Sequence, residues 1–198
     1  MECSFLLSGR KNSNNDALSS FDIQGEISYE LPKGFSLTGG MEILSGTSQL
    51  STSANESKSF EPFYGTNHIF NGYIDYFYVG NHLNTVGLQD YYIKSQWLKS
   101  KIIYGIGYHF FSAAAEVEDI NNPGTAASNF FGSELDITVS YNLAKFVAIQ
   151  AGYAQFFATQ SLEFIKGVPG GSDETNNWAY VMFIFRPGTD WPRVGLKF

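Results

Sequence analysis

Three histidines (His68, His82 and His109) and a single cysteine (Cys3) set the limits of the chemistry open to this chain. A serine nucleophile needs a histidine base within hydrogen-bond reach and an acid to orient it. His109 has Ser112 three residues on, and in a strand that odd spacing sends the two side chains to opposite faces. Neither a GxSxG elbow nor a phosphate-cradling loop occurs. His68, Asp75 and His82 match no metal-ligand spacing, and a lone cysteine forms no internal disulfide. The acidic run "EVEDINN" (116–122) holds oxygen donors suited to Ca²⁺, but such runs are also ordinary solvated loops. The expectation is a protein that is not an enzyme and carries no cofactor or metal; a hydrolase remains the alternative.

What the chain has in quantity is carboxylates set in strict alternation with apolar residues. From Phe21, the odd positions read Phe21, Ile23, Gly25, Ile27, Tyr29 and Leu31, and the even ones Asp22, Gln24, Glu26, Ser28 and Glu30. The same period recurs at 35–43, 101–113 and 134–143, and more loosely in "GLQDYYIKSQWL" and "FVAIQAGYAQFF". Period-two alternation is the mark of a strand with two different faces. These runs exceed the roughly 5–6 residues usual in soluble strands and match the roughly 9–11 of a tilted membrane strand. Tyr29, Trp97, Tyr141 and Trp178 fall near strand ends, as in the aromatic girdles of membrane barrels. Charged residues are only 16% and aromatics 17%, where soluble domains carry about 25% charged residues. A half-buried soluble sheet has the same alternation. The net charge of -7 argues against a nucleic-acid partner.

The predicted strands are 2–10, 19–31, 34–46, 87–98, 100–113, 132–143, 145–158 and 177–186. Tight joints fall at 32–34, 98–100 and 142–145, and long connections at 47–86, 114–131 and 159–176. The fold class is all-β, an antiparallel transmembrane β-barrel with about eight strands here, and the whole of 1–198 is one barrel segment. Alternation assigns Asp22, Glu26, Glu30, Glu42, Asp90, Glu134 and Asp136 to the lumen, opposed by Lys94 and Lys101, with His109 neutral beside them. In the first long connection, Phe70, Ile74 and Phe77 recur at helical spacing. Asn67, His68, Asn71 and Asp75 there have the hydrogen-bonding groups for sugar hydroxyls, and Tyr73 and Tyr76 offer ring faces. The same stretch reads equally as a structural plug.

Four blocks in order, "YGTNHIFNGYIDYF", "VGLQDYYIKSQW", "YHFFSAAAEV" and "NNWAYVMFIFRP", give the chain a family resemblance. Over roughly residues 18–187 it resembles the carboxy-terminal half of the alginate-export family of outer-membrane β-barrels. The resemblance implies a bacterial outer-membrane location and lipid and the barrel-assembly machinery as partners. It also implies a wide barrel of more than eight strands that passes a hydrophilic solute or polysaccharide. On that reading "SFLLSGRK" (4–11) is the end of a mid-barrel strand, and earlier strands and a signal peptide precede it. A closed eight-stranded barrel is the alternative architecture. A surface-binding, adhesin-like barrel using the long loops is the alternative function. The acidic inward stripe departs from the basic lining that a polyanion conduit calls for.

Overall fold

The computed structural model describes residues 2–11, 17–52, 56–60, 71–77 and 85–186. Within these the chain is all-β. Eight long strands form one antiparallel sheet: β1 (Glu2–Lys11), β2 (Ala17–Leu31), β3 (Phe35–Leu44), β5 (Leu88–Lys99), β6 (Ile102–Ser112), β7 (Phe130–Ala144), β8 (Val147–Ala158) and β9 (Asn176–Phe185). A two-residue strand, β4 (Glu56–Ser57), runs parallel to the start of β2 at Ala17 and Leu18. The long strands are those the alternation predicts, with ends shifted by at most two residues.

Local chemistry sets the joints. Pro32 opens the turn between β2 and β3, where Lys33 and Gly34 take positive φ. Ser100, also at positive φ, and Lys101 join β5 to β6, and Lys145–Phe146 join β7 to β8. These three tight joints lie at one end of the sheet. Lys101, expected on the inward face, instead lies exposed in its turn, because β6 begins one residue later. The long connections leave from the other end. The last contains a one-turn-and-more helix, α1 (Gln160–Lys166), closed by Gly167 in the left-handed conformation.

The strands do not close on themselves. β1 pairs only with β2 and β9 only with β8 among the described residues, so the sheet is open. This sets aside the sealed eight-stranded barrel, whose interior side chains alone would fill. No described helix is long and apolar enough to cross a membrane, which leaves strands as the only candidates here.

Each strand divides its residues between a concave and a convex face. At the long-loop end the concave face is apolar: Leu44, Leu88, Phe111, Phe131 and Phe156 meet Phe60, Phe77, Val117 and Leu162 from the connections. The Phe77 ring centre lies within 6.2 Å of those of Phe111, Phe131 and Phe156, stacked on Phe131 and tilted against the other two. Such ring pairs add roughly 0.5–1.5 kcal/mol each beyond the area they bury. Phe156 is 1% exposed, while its neighbour Phe157, on the convex face, is 52% exposed. Truncating a buried phenylalanine costs about 3–5 kcal/mol. Phe156→Ala should therefore lower the unfolding midpoint in denaturant titrations, and Phe157→Ala should lower it far less.

Candidate functional site

Strand register stacks the polar residues of the concave face in rows. Gln24, Glu42, Asp90 and Phe111 align across four strands nearest the apolar core. The next row reads Glu26, Gly40, Tyr92, His109, Glu134 and Phe156. Below it come Ser28, Thr38, Lys94, Gly107 and Asp136, then Glu30, Ser36, Gln96, Gly105 and Thr138. The glycines in these rows make room for long neighbours. A Cβ on Gly40 would lie 2.3 Å from the Tyr92 ring. Without one, Tyr92 lies across β3 and donates its hydroxyl hydrogen bond to Glu26 Oε2 on β2 at 2.9 Å.

Residues 71–77 cross this face. They form bends, not the helix their apolar spacing suggests, because Gly72 and Asp75 both take positive φ. The Asn71 amide is buried and donates to Glu42 Oε2 and, at 3.3 Å, to Asp90 Oδ2. Gln24 donates to the other Glu42 oxygen. At Gly72 the backbone passes so close to Glu134 that a Cβ would meet its carboxyl carbon at 2.6 Å. Ile74 N–H then donates to Glu134 Oε1 at 2.8 Å. The Tyr73 ring meets Tyr180 edge-on at 6.5 Å. Tyr76 donates to Asn176 Oδ1 at 2.7 Å, and its own carbonyl accepts from Lys166 Nζ on α1 at 2.5 Å. Burial of Lys166 pushes its ammonium pKa down, and the Asp75 carboxylate opposes that shift.

His109 is buried among acids. Its Nδ1 donates to Asp90, with both carboxylate oxygens at 2.9 Å, and its Nε2 lies 3.9 Å from Asp136 Oδ2. Its ring stacks between Tyr92 and Phe111. The imidazole thus ties β6 to Asp90 of β5, with Asp136 of β7 nearby.

The polar rows open toward the tight-turn end as a concave space of about 930 Å³. Glu26, Glu30, Glu42, Asp90, Lys94, His109 and Asp136 all border it. Asp22 is buried at the long-loop end, and Glu134 is sealed under residues 72–74. Of the loop candidates, Asn71 and Tyr73 border the space, whereas Tyr76 turns to β9 and α1. Asn67 and His68 lie outside the described residues. In the acidic run, Asp119 accepts from Asn121 N–H and the Asn122 amide, which holds its carboxyl below the usual range. Glu118 accepts from Gly124 N–H. Those carboxylates shape their own loop, and no cluster of three metal-ligating side chains is present among the described residues.

Several partners escaped the sequence reading. Thr138, Tyr180, Asn176 and Lys166 complete the surroundings of the 71–77 segment. The signal for two of them was available: Gly105 and Gly152 interrupt otherwise bulky positions, and Thr138 and Tyr180 lie over them. A hydrogen bond to a charged group contributes roughly 1.5–3 kcal/mol. Asn71→Asp would set a third carboxylate between Glu42 and Asp90. It should destabilise more than Asn71→Ala, and limited proteolysis should then cut near residues 71–77 faster than in the parent protein.

No protein-family model matches this chain, and no curated protein matches it.

Proposed function

We propose that this chain is a wall segment of an outer-membrane β-barrel that passes a hydrophilic solute or polysaccharide passively. The supporting observation is the separation of charge between the two faces. The convex positions are those at 21–31, 35–43, 89–97, 102–112, 133–143, 147–157 and 177–185 in steps of two. None of these is Asp, Glu, Lys or Arg; the one charged described residue of the same parity in these seven strands is Lys99, the last of β5, beside the tight turn. The concave positions of the same strands carry Asp22, Glu26, Glu30, Glu42, Asp90, Lys94, His109, Glu134 and Asp136. A soluble protein with that much apolar surface exposed would aggregate, since contiguous patches rarely exceed a few hundred Å².

Finer features fit the same solvent assignment. In hydrocarbon, polar groups must be satisfied within the protein. On the convex side Ser133 pairs with the Tyr108 hydroxyl at 2.9 Å. Gln155 accepts from Tyr153 and donates to the Asn176 carbonyl. Near the tight turns Phe35 stacks on Trp97 at 5.1 Å and Trp97 on Tyr104 at 5.6 Å, the makings of an interfacial girdle. From Phe157 to Val147 strand β8 runs roughly 33 Å, or about 25 Å along the normal at a tilt of about 40°, the height of an outer-membrane apolar band. The open edges of β1 and β9 suit a wider barrel, as does the resemblance to the alginate-export family. The inward polar rows line the water path, and residues 71–77 narrow it.

A cation at the bilayer midplane costs about 2–4 kcal/mol on the lipid face of such a barrel. Ile137, on the convex face, is 41% exposed. Ile137→Arg should reduce the folded, membrane-inserted fraction in lipid-vesicle folding assays, whereas Ser28→Arg on the concave side should insert as the parent does. Equal insertion of the two variants would contradict the lipid-facing assignment.

A further inference from the structure

We infer that the concave face selects for cations: it takes solutes bearing ammonium or guanidinium groups in preference to polyanions. This rests on the conduit reading and names the solute class. Five carboxylates border the open space, from Glu26, Glu30, Glu42, Asp90 and Asp136, and the one Lys or Arg among its described lining residues is Lys94.

Those carboxylates are not equivalent. Glu42 and Asp90 are consumed by Asn71 and His109. Asp136 is different. Its side chain is 6% exposed, it borders the space, and its Oδ1 has no hydrogen-bond partner. Glu26 is fixed in place by the Tyr92 hydroxyl, and Glu30 is exposed near the tight-turn end. The protein's own ammonium marks what this surroundings holds. Lys94 Nζ lies 4.1 Å above the centre of the Tyr92 ring, between the Glu26 and Asp136 rows. An aromatic face bordered by carboxylates is cation-binding chemistry. Lys94 acts as a tethered counter-ion, and a solute ammonium competes for the same field. The lack of three convergent ligating side chains among the described residues argues for an organic or monovalent cation over a divalent metal. A polyanion would meet these fixed charges where low-dielectric walls focus the field, and would be repelled.

The test is the reversal potential of the complete barrel that contains this segment, in planar bilayers across a KCl gradient. A potassium-over-chloride permeability ratio of about 3 or more is expected from a wall potential of order kT. Glu30→Gln, at an exposed position that folding tolerates, should lower the ratio. The Glu26→Gln/Glu30→Gln double variant should bring it toward 1, and Lys94→Gln should raise it about twofold. Spermidine added to one side should reduce the potassium current, and an alginate oligomer at equal charge should not. A conducting channel that prefers chloride, or one whose ratio ignores these variants, overturns the cation inference alone. A complete barrel that inserts but does not conduct overturns the conduit reading and this inference together.

Discussion

In an antiparallel sheet every residue is committed to a face by its parity. Here that commitment decides which side chains share the carboxylate-bearing concave face and which the apolar convex one. A one-residue slip of β2, β3, β5 or β7 would carry apolar side chains to the concave face and carboxylates to the convex one. The register is pinned at both ends. Tight turns at 32–34, 100–101 and 145–146 fix one end, and aromatic packing around Phe77 fixes the other. Everything else in the molecule depends on this register holding across seven strand pairs.

Placing carboxylates on the concave face creates a cost that the first long connection meets. Glu42, Asp90 and Glu134 are almost fully buried, and a buried carboxylate without partners is strongly unfavourable. Residues 71–77 supply those partners in sequence: a side-chain amide from Asn71, then the backbone N–H of Ile74. The apolar end of the same segment inserts Phe77 into the core. The segment is therefore held by polar contacts at one end and ring packing at the other. It is a fixed part of the concave face. His109 works similarly, fastening β6 to Asp90 of β5.

How much of this the sequence discloses depends on which physical rule governs each part. The long strands are legible where apolar residues recur at every second position, cleanly in β2, β3, β6 and β7 and more loosely in β5 and β8. The turn at Pro32–Gly34 is legible because its residues dictate backbone geometry. Lys101 is misread because period-two counting cannot say where a strand yields to a turn. The helical spacing of Phe70, Ile74 and Phe77 misleads because Gly72 and Asp75 break the helix locally and tertiary contacts decide the path. Helix α1 is too short for periodicity to reveal. Trp178 sits near a strand end, as the girdle argument expects, but its parity places it on the concave side beside Tyr180. Sheet closure is a property of which strand meets each edge, and alternation within strands does not encode it. The candidate site was legible as a stripe of charge; its division into tied and open carboxylates required the contacts.

The central claim is that the two faces of one strand meet different solvents. Residues 27–30 of β2 test it most directly, since Ile27, Ser28, Tyr29 and Glu30 are all exposed in the sheet. Single cysteines at these positions, in a Cys3→Ser background, would be spin-labelled after reconstitution into lipid bilayers. Relaxation by oxygen, which concentrates in lipid, would be compared with relaxation by a water-soluble nickel chelate. Period two is the predicted result: oxygen dominating at 27 and 29, and nickel at 28 and 30. Nickel accessibility that is high at all four positions would contradict it and make the convex face a surface that meets water or another protein.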